Sequence, residues 1–178
     1  MSVIRKKLIR RTYPLEREAE FAAYHPVLRR VYAARAVDPK TLDRTLDTLL
    51  PYHLLSDIDR AVELLTAAII QQKNILIIGD FDTDGATSTA LAVRALRLFG
   101  TTNVQYLVPN RFNDGYGLTP ALLLRAKLFN PQLIVTVDNG IAHHAGVLAA
   151  IALGIEVVIT DHHLPAPRLP LPEADAIV

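Results

Sequence analysis

The sequence predicts an open parallel α/β sheet of four or five strands with helices on both faces, preceded by a helical N-terminal segment. Short, apolar, β-branched runs begin at Asn74, and such runs are typical of strands that are buried on both faces. Helical patterns separate these runs, and this alternation predicts right-handed βαβ units. We therefore expect a helical segment with a basic arm over residues 1–72 and an α/β domain over residues 73–178.

The N-terminal segment shows helical patterns and no motif with evident chemistry. Pro26 begins the first pattern. Asp38 and Pro39 indicate an N-cap and a first-turn proline for a second helix, which Pro51 should end. A third pattern starts at Ile58. These helices are expected to serve packing.

The charge of the chain is unevenly distributed. Residues 1–35 hold nine Lys and Arg against three Glu, a charge of +6, which leaves −5 for the remainder of a chain with net charge +1. A basic arm can contact a polyanion such as nucleic acid, although such arms are more often plain solvated surface.

The sequence lacks cysteine and a long apolar stretch, and both absences exclude classes of function. The chain has no cysteine, which excludes disulfides, thiolate-bound zinc, iron–sulfur clusters and thiol nucleophiles. Its longest apolar stretch, residues 145–155, is shorter than the roughly 18 residues that a membrane-spanning helix needs. We therefore expect a cytoplasmic protein with no membrane segment.

The α/β domain should consist of strands and helices in strict alternation. Strands are expected over four ranges: 75–78, 104–108, 133–137 and 157–160. Helices are expected over three ranges: 86–99, 119–129 and 142–153. A surface connection with four prolines, residues 164–172, leads to the start of a fifth strand at residues 176–178.

A polar cluster follows each of the first four strands. Because the carboxyl ends of parallel strands lie along one edge of the sheet, where ligands bind, these clusters should converge. Convergence would bring five carboxylates together: Asp80, Asp82, Asp84, Asp138 and Asp161. Close like charges are costly unless they are neutralised. Oxygen ligands with one or two imidazoles suit Mn²⁺ or Mg²⁺, and this number of ligands favours two ions over one.

Each cluster taken alone has a plainer interpretation. The Asp-x-Asp-x-Asp-Gly run resembles a calcium loop, but Leu91 stands where the closing Glu of an EF-hand would be. Asp84 could cap the following helix, and residues 138–140 could form a simple turn. Paired histidines, at 143–144 and 162–163, are usually surface residues. The metal interpretation is favoured because the clusters fall at successive strand ends.

The loop from Asn110 to Gly117 offers contacts of another kind. Arg111 could grip a phosphate with its planar fork of donors. Phe112 and Tyr116 could stack on bases, as proteins commonly hold single strands. The plainer alternative is a surface loop with Phe112 tucked into the core. We favour a substrate role for Arg111.

The Asp-His-His triplet after the fourth strand resembles the signature of the DHH phosphoesterases. Five motifs also resemble the single-strand-specific exonucleases of that family in order and spacing. They are GDFDTDGATS (79–88), LVPNRF (107–112), DGYGL (114–118), TVDNGI (136–141) and TDHHLP (160–165). The resemblance runs from about Pro26 to Val178 and is dense from Ile75 onward.

This resemblance implies a 5′–3′ exonuclease that depends on Mn²⁺ or Mg²⁺ and releases mononucleotides from single-stranded DNA in repair and recombination. It implies that Asp80, Asp82 and Asp138 hold one ion. Asp84, Asp138 and His162 would hold the other, so that Asp138 bridges the two.

The same resemblance implies roles for the neighbouring side chains. His163 would contact the scissile phosphate or assist proton transfer, as a catalytic residue beside Asp138 and His162. Asp161 and Asn139 would orient the ligands from behind. Substrate contacts would come from Asn110, Arg111, Tyr116 and His163.

Members of the family continue beyond the equivalent of Val178 with another metal-binding carboxylate, a second phosphoesterase domain and an oligonucleotide-binding fold. We therefore expect a truncated domain with weak or no activity alone. A single-strand DNA-binding protein is an implied partner, and a monomer is favoured. Two alternatives stay open: a DHH phosphoesterase for short oligonucleotides, cyclic dinucleotides or pyrophosphate, and a non-catalytic module for nucleic-acid binding or assembly.

Overall fold

The computed structural model describes residues 8–178. The expected contribution of Arg5, Lys6 and Lys7 to the basic arm lies outside the described residues. The chain forms two compact units, over residues 8–50 and 51–178. No helix within the described range is long and apolar enough to cross a membrane.

The N-terminal unit is built around helix α1 (Pro26–Ala34). His25 precedes the helix, and its Nδ1 accepts a hydrogen bond from the backbone N–H of Val27, which caps the first turn. A 3-10 helix (Leu15–Phe21) comes before α1 in the chain. The fully buried ring of Phe21 packs against Tyr32 of α1, with ring centroids 5.5 Å apart.

The second helix expected in this unit does not form, and that prediction is wrong. Two 3-10 turns, Pro39–Leu42 and Leu46–Thr48, take its place. Between them Asp43 accepts a hydrogen bond from the backbone N–H of Thr45, which competes with helical pairing. Three of the leucine side chains that should have stabilised a helix by burial, Leu46, Leu49 and Leu50, stay exposed, Leu46 by 84%.

The second unit contains the predicted parallel sheet. Its strand order is β2-β1-β3-β4-β5, and all neighbouring strands are parallel. β1 is an interior strand, because Ile75 pairs with Val104 on one side and with Leu133 on the other. The strands are β1 (Ile75–Ile78), β2 (Val104–Leu107), β3 (Leu133–Val137), β4 (Glu156–Thr160) and β5 (Ala176–Ile177).

Helices cover both faces of this sheet, as the sequence predicts. They are α2 (Ile58–Ile70), α3 (Thr83–Leu98), α4 (Pro120–Ala126) and α5 (His144–Ile151). Side chains alternate along β1, so Ile75 and Ile77 pack against α2 and α3, whereas Leu76 and Ile78 pack against α4 and α5. Because α2 packs on the sheet, the unit begins at Pro51, ahead of the change in sequence pattern at Asn74.

The strand order reverses between β1 and β3. The chain passes from β1 to β2 on one side and then returns to place β3 on the other side. Such a reversal opens a crevice beyond the carboxyl ends of the two strands, which is where open α/β sheets bind ligands. The polar clusters that follow β1 and β3 lie at this crevice.

Candidate metal centre

The segment after β1 places three carboxylates around the start of α3. Asp80 is buried, and its Oδ1 accepts a hydrogen bond from the N–H of Phe81 at 2.7 Å. Asp82 is the N-cap of α3, where its Oδ1 accepts from the N–H of Gly85 at 3.1 Å. Asp84 lies in the first turn with 65% of its side chain exposed. Backbone donors thus fix two carboxylates, and the third points to solvent.

Gly85 allows this arrangement because α3 starts very close to the end of β1. A Cβ atom on Gly85 would lie 2.6 Å from the carbonyl oxygen of Asp80. Any larger residue would therefore push the helix start, and Asp82 and Asp84 with it, away from Asp80.

The segment after β3 holds Asp138 in a rare backbone conformation. Its φ is +62°, in the left-handed region that non-glycine residues seldom adopt. Its backbone N–H donates to the carbonyl of Thr160 at 3.0 Å, and its own carbonyl accepts from the hydroxyl of Tyr116 at 3.3 Å. Contacts from two other segments therefore hold this residue in place.

Asn139 joins the two strands at the point where the order reverses. Its buried amide group donates to the carbonyls of Ile78 and Val137, at 3.0 Å each. The side chain thus ties the end of β1 to the end of β3. This position agrees with the expected orienting role, which stays a prediction.

Two buried oxygens at the crevice have no hydrogen-bond partner among residues 8–178: Oδ2 of Asp138 and Oδ1 of Asn139. An acceptor that is buried without a partner costs free energy, so most such atoms are satisfied in native proteins. A divalent cation would satisfy the Asp138 oxygen, which means that the side chains present fit a metal ion.

The segment after β4 supplies the histidines. Oδ2 of Asp161 accepts from the N–H of Ile141 at 2.9 Å, which joins this segment to the one after β3. Oδ1 of Asp161 accepts from the N–H of His163 at 3.1 Å and lies 2.7 Å from its Nδ1. Nε2 of His162 lies 3.0 Å from Oδ1 of Asp138 and 3.8 Å from Oδ2 of Asp84.

The structure gathers these side chains into two groups that share Asp138. In one, ligand atoms of Asp80, Asp82 and Asp138 lie within 4.8 Å of one another. In the other, the same holds for Asp138, His162 and His163. Asp84 approaches the second group through His162. The five aspartates expected to converge from three strand ends do so.

The surroundings of Asp138, the carboxylate shared by both groups, disfavour its ionised form. Burial raises the pKa of Asp138, and the nearby charges of Asp84 and Asp82 raise it further. Burial likewise raises the pKa of Asp80. In contrast, the backbone N–H of Gly85 lowers the pKa of Asp82. Ionised Asp80 and Asp138 therefore need positive charge nearby, and a cation at the crevice would supply it.

Asp161 and His163 form an ordinary ion pair beside this centre. Burial alone would raise the pKa of Asp161, but hydrogen bonds from Ile141 and His163 outweigh it and hold that pKa below its usual range. The hydrogen bond to Asp161 in turn raises the pKa of His163. Asp161 therefore stays ionised and fixes the ring of its partner.

The loop over 110–117 lies against the centre. The guanidinium carbon of Arg111 is 4.3 Å from the centroid of the Phe81 ring, a cation–π contact. The Tyr116 ring lies 6.0 Å from Phe81 and 6.1 Å from His163. Burial, and then the charge of Asp80, raises the pKa of Tyr116 to about 12, so its hydroxyl stays a donor. Phe112 is 89% exposed, and so the alternative with its ring in the core is wrong.

Asp114 shapes this loop, although no motif indicated such a role. The buried carboxylate accepts from the N–H of Asn110 at 2.8 Å and pairs with Arg125 of α4. Its carbonyl accepts from the Thr119 hydroxyl at 2.9 Å. The side chain of Asn110 accepts from the N–H of Phe112 at 3.0 Å, within the loop itself. These contacts fix the position from which Arg111 extends.

His143 is also part of the site, so its expected place among plain surface residues is wrong. The ring is half-buried and lies 5.3 Å from the Tyr116 ring. A Cβ atom on Gly117 would lie 2.4 Å from it, which shows how closely the loop packs on the ring. The contact joins residues far apart in the chain, and no local pattern could have indicated it.

The fold and the centre together define a doubly wound α/β domain with a candidate divalent-metal site at its switch point. Residues 74–178 match the N-terminal domain of the DHH family. This match covers more than half of the chain, and the chain belongs to the DHH family.

Proteins of known function with similar sequences show which branch of the family this chain resembles. The single-stranded-DNA-specific exonuclease RecJ of Salmonella typhimurium is 54% identical over 154 residues, which are 86% of this chain and 26% of that protein. The corresponding protein of Haemophilus influenzae is 49% identical over 97% of this chain and 30% of its own length. The chain therefore spans between a quarter and a third of the length of these relatives.

Two solved structures of proteins from the same branch of the family also resemble this chain. A crystal structure of exonuclease RecJ bound to manganese superposes with a TM-score of 0.64 at 36% identity, over 72% of this chain and 31% of that chain. The structure of RecJ from Thermus thermophilus in complex with Mn²⁺ superposes with a TM-score of 0.59 at 31% identity. This match covers 92% of this chain and 23% of that chain. The similarity to the single-strand-specific exonucleases of the family is thereby confirmed.

Proposed function

We propose that this chain supplies the metal centre of a 5′–3′ exonuclease that hydrolyses single-stranded DNA to mononucleotides, in repair and recombination. One observation carries the proposal. Asp138, with a buried oxygen that lacks a partner in the described chain, belongs to both ligand groups at the switch point. The names of the relatives identify single-stranded DNA as the substrate of those proteins.

Mn²⁺ or Mg²⁺ suits the side chains present. Asp80, Asp82 and Asp138 would hold one ion. Asp138 and His162 would hold the other together with Asp84, whose Oδ2 lies 3.8 Å from Nε2 of His162. Asp84 takes the place of His163 in this set, because Nδ1 of His163 is already bonded to Asp161. Oxygen ligands with one imidazole are typical of these hard cations. When bound, the ions supply positive charge that stabilises phosphate oxygens and makes water more acidic.

His163 is proposed to contact the scissile phosphate or to donate a proton to the leaving oxygen. Its Nδ1 lies 2.7 Å from Asp161, which leaves Nε2 available for a phosphate oxygen or a leaving oxygen. Because the pKa of His163 is raised, the ring holds its proton to higher pH than a free histidine. Asp161 fixes the ring so that this proton is presented in one direction.

The loop over 110–117 is proposed to hold the strand. Arg111 would pair with a phosphate while its guanidinium lies on Phe81. Phe112 presents an exposed ring for stacking on a base, and Tyr116 presents its partly exposed edge. Asn110 would position this group through the loop turn that its side chain closes.

The isolated chain is proposed to be a weak nuclease. His162 is 71% exposed, Asp84 65% and His163 47%, so water reaches the centre freely from one side. Water that competes for the ions and the phosphate lowers both affinity and rate. A cytoplasmic location, a monomeric state and a partnership with a single-strand DNA-binding protein belong to the same proposal and rest on the resemblance.

A digestion assay with enzyme in excess tests the proposal. The 178-residue chain is mixed with a 5′-labelled single strand, the matching duplex or a dinucleotide, in Mn²⁺, Mg²⁺ or EDTA. We expect slow release of labelled mononucleotide from the single strand, in metal only, and none from Asp138→Asn. Cleavage confined to the dinucleotide would support a phosphoesterase for short substrates. Strand binding without any cleavage would support the non-catalytic alternative.

A further inference from the structure

A cleft in the N-terminal unit is lined by four arginines. Its volume is about 470 Å³. One wall is a face of α1 on which Val27, Arg30 and Val31 lie three and four residues apart, with Arg35 just after the helix end. The other wall is the extended segment over 10–13, which contributes two more arginines, Arg10 and Arg11.

The arginines of this cleft are not paired with carboxylates. Within the described range no Asp or Glu lines the cleft, although Glu18 bonds the hydroxyl of its lining residue Tyr13. Among residues 8–178, none of its four guanidinium groups lies within ion-pair distance of a carboxylate. Elsewhere in the same unit, Arg17 pairs with Glu20 at 3.1 Å and Arg29 donates to the carbonyl of Tyr24 at 2.7 Å. Four like charges without a carboxylate partner in one cleft attract a polyanion.

The core of the unit does not need this face of α1. The helix packs through Ala33 and Tyr32 onto the buried ring of Phe21, on the other side. The extended wall over residues 10–13 is also held in place, because the hydroxyl of Tyr13 donates a hydrogen bond to Glu18 at 2.6 Å. The arginine face is therefore free for a ligand. The helical wall of the cleft is held by the packing of Tyr32 on Phe21, and the extended wall by the hydrogen bond from Tyr13 to Glu18.

We propose that this arginine cleft binds the sugar–phosphate backbone of single-stranded nucleic acid. A guanidinium group matches phosphate with two parallel hydrogen bonds, which an ammonium group cannot do. Val27 and Val31, which are 49% and 41% exposed, offer apolar contact to the sugars between phosphates. The site reads no bases, so its binding is independent of sequence.

The cleft would act as a second contact with the strand that the metal centre cleaves, and in this respect it rests on the proposed function. A second contact on one polymer raises the effective concentration of the strand at the first. The contact itself needs no metal, so it can be measured without catalysis.

Fluorescence anisotropy with a labelled oligothymidine in EDTA tests the cleft in the 178-residue chain. Four phosphate contacts by the cleft should contribute about −2.8 to the salt slope of single-strand binding, and the proposed contact of Arg111 adds to the total. The cleft share alone corresponds to roughly 50-fold weaker binding at about 200 mM than at about 50 mM salt. The double variant Arg30→Gln, Arg35→Gln should reduce the slope by about 1.4. The matched control Arg44→Gln, Arg168→Gln removes two exposed charges outside the cleft and should leave the slope unchanged.

A second variant separates binding from folding. Arg10→Gln with Arg11→Gln alters the extended wall, leaves α1 intact and should reduce the slope by the same amount. Slopes equal to that of the control in both cleft variants would overturn the proposal. So would variants that lose affinity for a polyglutamate peptide and keep it for the oligonucleotide, which would identify an acidic protein segment as the occupant. Metal-dependent cleavage is scored separately, so failure here leaves the metal centre untouched.

Discussion

At the amino edge of the sheet, most polar side chains have hydrogen-bond partners, whereas at the carboxyl edge a buried carboxylate oxygen and a buried amide oxygen lack one within residues 8–178. Near the start of β1, Lys73 forms an ion pair with Glu156 at 2.6 Å, and the side chain of Asn74 donates to the carbonyl of Asn130 at 3.1 Å. The side chain of Gln72 accepts from Thr102. These contacts fasten the connections between strands. Within residues 8–178 the hydroxyl of Thr101 at this edge is buried without a partner, but no carboxylate is.

The carboxyl edge has the opposite character. Asp138 and Asn139 each keep a buried oxygen without a partner in the described chain, and the pKa values of Asp80 and Asp138 are raised. Such groups lower the stability of the protein without a ligand and become favourable when a cation binds. The two edges thus differ in the kind of group left unpaired, which is a neutral hydroxyl at the amino edge and an ionisable carboxylate at the carboxyl edge. Only the carboxylate gains strongly from a bound cation.

The largest effect should come from Asp138→Asn. Because both ligand groups lose their shared carboxylate, we expect metal-dependent cleavage to fall more than about 100-fold, beyond the loss typical of supporting residues. Digestion of a labelled single strand in Mn²⁺ measures this fall. Wild-type activity in the variant would show that Asp138 is not a shared ligand.

The same variant should keep or gain stability in EDTA. A carboxyl group with a raised folded-state pKa weakens the fold once it ionises, so its removal helps above that pKa. The advantage of Asp138→Asn should disappear as the pH falls through the raised pKa. Urea unfolding at a series of pH values measures the difference, and a variant less stable than wild type at about pH 8 would contradict the account.

Asp161→Asn should act with the opposite sign on stability. This carboxylate has a lowered pKa and accepts three hydrogen bonds, so it stabilises the fold above the unfolded-state pKa of about 3.9. We expect a loss of about 1–3 kcal/mol at pH 7 that vanishes as the pH falls through the folded-state value. Cleavage should fall about 10–100-fold because His163 loses its orientation. Equal stability of the variant and wild type at neutral pH would refute this role.

Gly117→Ala compared with Gly115→Ala isolates the contact between His143 and the loop. Both glycines have positive φ, so both substitutions carry similar backbone strain. Only at Gly117 would the new Cβ meet the His143 ring, at 2.4 Å, whereas at Gly115 the nearest atom is 3.8 Å away. We expect the KM for a single strand to rise about tenfold in Gly117→Ala alone, equivalent to about 1.4 kcal/mol. Identical kinetics in the two variants would show that the contact between His143 and the loop does not contribute to the site.

The smallest effect should come from the amino edge. Lys73→Met breaks the partly buried ion pair with Glu156, which should cost about 0.5–1 kcal/mol of stability. Mn²⁺ affinity and cleavage should not change. A loss of metal affinity in this variant would mean that the two edges are not independent.

The sequence predicted the sheet well because burial on both faces leaves a clear pattern. The runs at 75–78 and 133–137 match β1 and β3 residue for residue. The helix expected after Pro39 does not form because Leu46, Leu49 and Leu50 are not buried by any described part of the chain, which no local pattern reveals. Periodicity thus predicts an element only where the tertiary structure uses its apolar face.

The candidate site was predictable in its composition and less so in its geometry. Strand-end positions alone indicated that Asp80, Asp82, Asp138 and the histidines would meet. The left-handed backbone of Asp138 and the support from Asp114 and His143 depend on contacts between distant segments. Those contacts follow from the packing of the loop over 110–117, which the sequence pattern does not specify.

The most direct test of the metal centre is titration of the apo chain with Mn²⁺, followed by electron paramagnetic resonance, for wild type, Asp138→Asn and Lys73→Met. We predict saturable binding in wild type and Lys73→Met, and a loss of affinity of more than about 100-fold in Asp138→Asn, as expected for a shared ligand. Equal affinity in wild type and Asp138→Asn would contradict the account, because the unsatisfied carboxylate at the switch point would then not be the place where the metal binds.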